Sequence, residues 1–301
     1  MQQVFRAGAC LFRRLRHFWA HRSTFAPITS VSLTSCSLCI ATYNWPAALK
    51  ACLQTVLQQR TLPGEVIIAD DGSTAETEAV VAAFRQQLPV PVKHIWQPDE
   101  GFRLAQIRNK AFAAAQHPLV VQIDGDLLLH PEFIADHQRA ARRGTFIAGS
   151  RVLVDQQLSQ ALLDAEGNIF PPVFSRHVKK SYNGVRIPLL SAVNRYLQRG
   201  GNGYKYVLGC NMSFWKEDLL AVNGYNESFT GWGKEDNDIA IRLVNAGVQL
   251  RFLKFGGVVY HLHHRKSDAS AMNRNEEMLR RSLKNRVTYI EKGMHQYIQK
   301  P

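Results

Sequence analysis

Apolar and polar positions follow two alternating rhythms from Val31 to about Val152. Short, nearly unbroken apolar runs give way to stretches with helical spacing, and the pair repeats. Val31–Ile40 reads as a strand and Pro46–Gln58 as a helix. Pro46 suits the first helical position, where its missing N–H would have no intrahelical partner anyway. Glu65–Ala69 then reads as a short buried strand, Glu76–Leu88 as a helix and Val92–Trp96 as a strand. Leu104–Gln116 reads as a helix and Leu119–Ile123 as a strand. Such alternation predicts a mostly parallel sheet covered by helices on both faces.

Between residues 155 and 205 the rhythm fades. Pro171-Pro172, Asn183-Gly184, Pro188 and Gly200-Gly201-Asn202-Gly203 mark turns, so a partly irregular, mobile connection is expected there. Periodicity returns with a strand at Tyr206–Phe214, a short helix at Glu217–Val222 and a helix from Glu235 to Asn245, stopped by Gly247. A strand ending at Tyr260-His261 and a basic helix over Arg274–Ile290 complete the chain. The expected organisation is a basic N-terminal segment (1–30), a first half (31–152), a second half (153–266) and a basic C-terminal helix (267–301).

Composition changes this picture mainly through charge. The 301 residues carry a net charge of +13, which points to an anionic partner: nucleic acid, an acidic membrane surface or a phosphorylated substrate. No nucleic-acid-reading motif accompanies the basic ends, which ranks nucleic acid last. No run approaches the roughly 18 apolar residues of a membrane span. Arg13, Arg14 and Arg16 interrupt any signal-peptide core. The first 22 residues fit an interfacial helix on an anionic leaflet, with a frayed or packed terminal helix as the alternative. A cytoplasmic protein, peripheral on the inner face of the plasma membrane, is the expectation. Cys36 and Cys39 form a C-x-x-C, but within a strand their side chains point to opposite faces. Buried, reduced thiols are therefore expected rather than a zinc or redox site.

Three strand exits carry polar clusters: Thr42-Tyr43-Asn44, Asp70-Asp71-Gly72-Ser73 and Asp124-Gly125-Asp126. One such cluster is a turn signal. Three on one edge of a parallel sheet look like the wall of a site, because ligands bind beyond the carboxyl ends of the strands. Two carboxylates flanking a glycine can hold a hard divalent cation, and such a cation can neutralise a departing diphosphate. His261-Leu262-His263-His264 also sits at a strand exit. Imidazole beside carboxylate suits manganese somewhat better than magnesium, and His263 is expected to face away. Gly231-Trp232-Gly233-Lys234-Glu235-Asp236-Asn237-Asp238 puts three acids in the first turn of a helix. They favour the dipole there, and one could take a proton from an acceptor hydroxyl. Trp232 between two glycines could offer a sugar ring an apolar face.

Together these segments resemble glycosyltransferases of family 2 with a GT-A fold. The resemblance rests on Ala-Thr-Tyr-Asn-Trp at 41–45, Ile-Ala-Asp-Asp-Gly-Ser at 68–73, Ala105, Arg108 and Asn109, and Asp-Gly-Asp at 124–126. Residues 209–214, 231–236 and 260–264 resemble the carboxyl-terminal module of β-1,4-galactosyltransferases and chondroitin-polymerase-type enzymes. It implies a single large Rossmann-like α/β domain with an acceptor-binding C-terminal half. It also implies that Thr42, Asp70 and Arg108 contact the nucleotide, that Asp124 contacts the donor sugar or ribose, and that Asp126, His261 and His264 ligate the metal. Asp236 matches the base, and Glu235 and Trp232 match its acceptor-site neighbours. Lys234 departs from the pattern, which often has glycine there.

The function implied is inverting transfer from a nucleotide sugar, a uridine diphosphate sugar by preference, to a glycan or glycolipid hydroxyl. Manganese is the preferred metal and magnesium the alternative. The competing reading is a non-catalytic domain of the same shape that binds an anionic glycan or a membrane surface.

Overall fold

Burial on both faces makes β1 (Cys36–Thr42) an interior strand of its sheet. Cys39 and Ala41 enter one apolar cluster, while Cys36, Leu38 and Ile40 enter another. The C-x-x-C pair is thus divided between the two faces, as the strand reading requires. Burial pushes the Cys36 thiol up to about 12 and raises Cys39 as well, which suppresses the reactive thiolate. The computed structural model describes residues 33–168, 170–198, 203–265 and 270–298. The N-terminal segment and the interfacial helix expected in it lie outside the described residues.

The large sheet contains β1, β2 (Glu65–Asp70), β3 (Val92–Trp96), β4 (Leu119–Asp124), β6 (Thr145–Ala148), β9 (Asn211–Trp215) and β10 (Gln249–Phe252). Their order is β10-β6-β9-β4-β1-β2-β3, and β9 alone runs against its neighbours. Because β9 comes from the second half and pairs with β4 from the first, the two halves share one sheet. Helices α1 (Pro46–Leu57), α2 (Ala75–Gln87) and α4 (Phe133–Ala140) cover one face. Helices α3 (Leu104–Ala114) and α8 (Glu235–Asn245) cover the other. Each fully buried Leu or Ile in these clusters contributes roughly 1.5–3 kcal/mol of transfer free energy.

A second sheet has the order β5-β11-β7-β8. It is formed by β5 (Leu127–Leu129), β7 (Val152–Val154), β8 (Val178–Lys179) and β11 (Val259–His261). The chain passes from the large sheet to the small one through Gly125, so Asp124-Gly125-Asp126 lies at their junction. Gly125 N–H donates to Ala41 O at 2.7 Å.

The segment 155–205 differs from the irregular connection expected. It contains α5 (Gln156–Asp164) and α6 (Pro188–Leu197). Asp155 caps α5 by accepting from Leu158 N–H at 2.9 Å, and Pro188 opens α6 at the position proline tolerates best. Pro188, a turn signal in the sequence, is thus the start of a helix, while Asp155 has no place in the sequence expectation. The strand expected from Tyr206 starts only at Asn211, after a 3-10 turn at Gly203–Tyr206. Between β9 and α8 comes the short α7 (Lys216–Ala221). The C-terminal helix, α9 (Met272–Lys284), is shorter than expected. It ends where Arg286 adopts φ 48°, and the chain folds back so that Tyr297 Oη donates to Glu227 at 2.9 Å. Among the described residues no helix is long and apolar enough to cross a membrane.

Candidate active site

The exits of β2, β1 and β4 meet along one edge, with Thr42 in register with Asp70 and Ala41 with Asp124. The strand order reverses at β1, which opens a crevice at that edge. Thr42 is nearly buried at the floor. Asp70 is only 1% exposed, because Ser73 N–H donates to it at 2.8 Å and His94 Nε2 lies 2.9 Å away. Its carboxylate closes the turn after β2, so the direct nucleotide contact expected of Asp70 is not open in this structure. Asp71 is similarly enclosed by Gln97 and the Arg103 N–H.

Asp126 meets His261 and His264 across the small sheet. Antiparallel pairing sets His261 opposite Leu127, and Leu262 N–H donates to Asp126 O at 3.0 Å. His264 Nε2 lies 3.2 Å and His261 Nε2 3.5 Å from Asp126 Oδ2. One ligand atom from each of the three residues falls within 4.8 Å of the others. The other carboxylate oxygen, Asp126 Oδ1, is buried without a hydrogen-bond partner among the described residues. Burial pushes the Asp126 carboxyl up, but the His264 hydrogen bond and the nearby His261, His264 and Arg151 hold it below its usual value. Burial keeps His261 towards its neutral, ligating form. One hard oxygen donor and two imidazoles fit a borderline divalent cation. His263 stands apart, its N–H donating to Ser159.

Arg108 joins the two ends of the crevice. It is buried on α3, and one terminal nitrogen donates to Asp124 Oδ1 at 2.8 Å while the other donates to Asp236 Oδ1 at 2.8 Å. Burial disfavours its charge, but Tyr225, Asp236, Asp124 and Glu235 more than offset this. Asp124 is raised to about 6 by burial, against the pull of Arg108. The guanidinium was expected to face the diphosphate, yet both terminal nitrogens are engaged by carboxylates.

Asp236 is held by two further donors, Tyr225 Oη at 3.0 Å on Oδ1 and Gly209 N–H at 3.0 Å on Oδ2. A Cβ on Gly209 would come within 2.0 Å of an Asp236 oxygen, so the position leaves no room for a side chain. Glu235 is buried. Its pKa is raised to about 8, first by burial and then by Asp236, and its Oε2 has no hydrogen-bond partner among the described residues. Asp238, the third acid of the turn, is structural instead, paired with Arg242 at 2.7 Å in full burial. Trp232 projects at 43% exposure between Gly231 and Gly233, both at positive φ. Lys234 adopts φ 78°, a conformation glycine enters without strain. This accounts physically for the glycine usual in the resembled pattern, whereas lysine here carries backbone strain.

The site also contains residues that sequence reasoning missed. Tyr225 and Gly209 brace Asp236, and Gln122 on β4 bonds both Tyr225 Oη and Gly209 O. Gly209 opens the 209–214 segment already marked by its resemblance, though without a role, and Gln122 was a further signal as a polar residue inside an apolar buried strand. Arg151, which sits beside Cys210 and close to Asp124 and Asp126, had no signal at all.

Comparison with known proteins agrees with this architecture. The glycosyl transferase family 2 profile matches residues 37–197, and that of the N-terminal domain of galactosyltransferase matches residues 192–265. Validoxylamine A glucosyltransferase of Streptomyces hygroscopicus subsp. limoneus is 30% identical over 78% of this chain and 53% of its own length. Chondroitin synthase of Escherichia coli is 28% identical over 78% of this chain and 36% of its own. The chain therefore spans about half of the first relative and about a third of the second. Residues 1–349 of S. aureus TarS in complex with UDP share the fold. The TM-score is 0.57 at 16% identity, covering 87% of this chain and 68% of that one. The mannosyltransferase PcManGT of Pyrobaculum calidifontis, in complex with GDP-Man and Mn2+, gives a TM-score of 0.55 at 16% identity. That match covers 86% of this chain and 66% of the other. With a family profile covering more than half its length and a GT-A architecture, this chain belongs to glycosyl transferase family 2.

Proposed function

We propose that this chain is an inverting glycosyltransferase acting on a uridine diphosphate sugar and a hydroxyl of a glycan or glycolipid. The observation that carries the reading is Arg108, whose one buried guanidinium bridges Asp124 on the donor side and Asp236 on the acceptor side. Those carboxylates are far apart in sequence, and a turn or a helix cap would have no need to join them.

Asp126, His261 and His264 would hold the divalent cation, manganese before magnesium. When bound, the cation neutralises charge on the departing diphosphate. Asp236 accepts the proton of the acceptor hydroxyl. Its Oδ1 is already engaged by Arg108 and Tyr225, so Oδ2, with only the Gly209 N–H, is the atom with room for it. Glu235, protonated near neutrality, offers a hydrogen bond to the acceptor, and Trp232 offers an apolar face to its ring. Thr42 and Asp124 line the donor side. Arg108 acts as a positioning residue for both carboxylates, and Asp70 acts through the turn it closes. A single base and a single displacement invert the anomeric centre.

The test is Asp236→Asn, assayed by release of nucleoside diphosphate with manganese and an acceptor. Loss of a positioned base should lower turnover about 10²–10⁴-fold, while calorimetric binding of uridine diphosphate and manganese persists. Unchanged turnover removes Asp236 from the mechanism. Absence of nucleotide binding at every manganese concentration would favour the non-catalytic binder.

A further inference from the structure

Helix α6 is built inside out. At 100° per residue, Leu189, Leu190, Val193, Tyr196 and Leu197 share an arc of about 120°, and all five are exposed, Leu189 at 74%, Tyr196 at 82% and Leu197 at 68%. Among the described residues of the helix the buried one is Ser191, on the opposite side. A helix of a globular core normally hides its apolar stripe and shows its polar one. Here the polar side faces the protein, and the rest of the attachment is also polar. Arg186, just before the helix, pairs with Asp136 at 2.8 Å, and Gln198, just after it, exchanges hydrogen bonds with the Phe252 backbone.

The apolar face does not stand alone. Of the fifteen large apolar or aromatic side chains exposed among the described residues, nine lie between Phe174 and Tyr206. Monomeric proteins rarely show such a concentration without a partner for it. Charge indicates what the partner is. Residues 170–206 contain seven lysines and arginines and no aspartate or glutamate. Arg186 is turned inward, but Arg176, Lys179, Lys180 and Lys205 are exposed and form no ion pair among the described residues. Exposed aliphatic side chains with exposed cations on the flanking segments match a bilayer with anionic headgroups, the apolar arc entering the acyl boundary and the cations meeting phosphates. An anionic glycan would use the cations but leave Leu189, Val193 and Leu197 in water.

We propose that α6 and its flanks form a docking surface for an anionic lipid bilayer. The inference is independent of the transfer reaction, but its placement suits one. Tyr204 O accepts from Asn237, next to Asp236, and Asn183 donates to Arg151 O beside the Asp124–Asp126 junction. The docked segment therefore borders the crevice on two sides.

The test uses the full chain in sedimentation with two kinds of vesicle, phosphatidylcholine alone and phosphatidylcholine with phosphatidylglycerol in equal parts. The wild type is expected to bind the anionic vesicles and not the neutral ones. Leu189→Ser/Leu197→Ser should weaken binding at least tenfold, and Lys179→Gln/Lys180→Gln about fivefold per charge removed. These side chains are exposed, and unchanged thermal unfolding verifies that the variants fold. Wild-type chain that stays in solution with anionic vesicles overturns the proposal. So does equal binding by the α6 variant, which would assign any membrane contact to another segment. A wild-type dimer that the leucine variant dissolves would make the face a contact between copies, and retention on hyaluronan without vesicle binding would make it a glycan surface. Either result also overturns it.

Discussion

Gly209→Ala adds one methyl group outside the set of reacting residues, yet it should disable the site. The new Cβ would lie 2.0 and 2.1 Å from the two oxygens of Asp236 and 2.2 Å from its Cγ, where an ordinary contact begins near 3.4 Å. The carboxylate must therefore retreat by more than an ångström. It cannot do so and keep the Gly209 N–H, Tyr225 Oη and Arg108 as donors. Hydrogen bonds to a charged group are worth about 1.5–3 kcal/mol each, and loss of one or two sets the scale of the perturbation. A misplacement of about 1 Å in a reacting group costs roughly 10²-fold in rate. The expected result is turnover lowered about 10²-fold, with uridine diphosphate and manganese bound as before, since Asp126, His261 and His264 are untouched. Nucleoside diphosphate release gives the rate, calorimetry the binding, and urea unfolding shows whether the fold survives. A folded Gly209→Ala protein with turnover within about threefold of wild type would refute the reasoning, because a carboxylate displaced that far cannot be the base.

Three further outcomes follow from the same geometry. Glu235, raised to about 8, keeps in the folded state a proton that the unfolded chain releases near its ordinary value. Stability should therefore fall as pH rises between those values, by up to about 1.4 kcal/mol per pH unit. Glu235→Gln should flatten that slope in urea titrations, and parallel slopes for the two proteins would contradict the assignment. His264→Ala should weaken manganese binding at least about tenfold while leaving thermal unfolding of the metal-free protein nearly unchanged, because His264 is half-exposed; calorimetry with manganese alone decides it. Tyr225→Phe removes one donor from Asp236 and leaves its ring against Arg108 and Phe112. It should reduce turnover about tenfold with donor affinity intact, and an equal loss in donor affinity would place Tyr225 in binding instead.

The elements that sequence revealed are those whose own periodicity decides their structure. Strands β1, β2 and β4 are mostly apolar and buried nearly throughout, because helices cover both of their faces, and α8 is marked by its acidic first turn and terminal glycine. The segment 155–205 was opaque because α5 is short, with only Leu158, Leu162 and Leu163 packed on the core, and because α6 breaks the usual amphipathic pattern. Helix α5 is announced by a single capping aspartate, and α6 buries a serine while exposing its leucines. Polar clusters at the strand exits were visible as clusters, but not the allotment of roles within them. Asp70 and Asp238 have the same letters as Asp126 and Asp236, yet their carboxylates are closed off by His94 and Ser73 or by Arg242. Only the pairing of distant segments separates a carboxylate that holds a turn from one that faces the crevice.

That separation also accounts for the charge of the site. Asp124, Asp126 and Asp236 converge with Glu235, which burial keeps protonated near neutrality. Against the three carboxylates stand the guanidiniums of Arg108 and Arg151, with His261 held towards neutrality by burial. His264 is drawn towards its charged form by Asp126. Once it gives up that proton to ligate, the group is left with a small excess of negative charge in a poorly solvated place, where it is costly. Arg108 cannot relieve this further, because its two terminal nitrogens are already taken. A dication at Asp126 would reverse the excess and leave the crevice slightly positive, which is the balance a diphosphate needs in order to bind. The guanidinium expected to meet the diphosphate instead fixes the carboxylates. On the proposed reading the charge that meets the nucleotide would come from a cation held by Asp126 and its histidines, so donor affinity should depend on manganese far more than on Arg108.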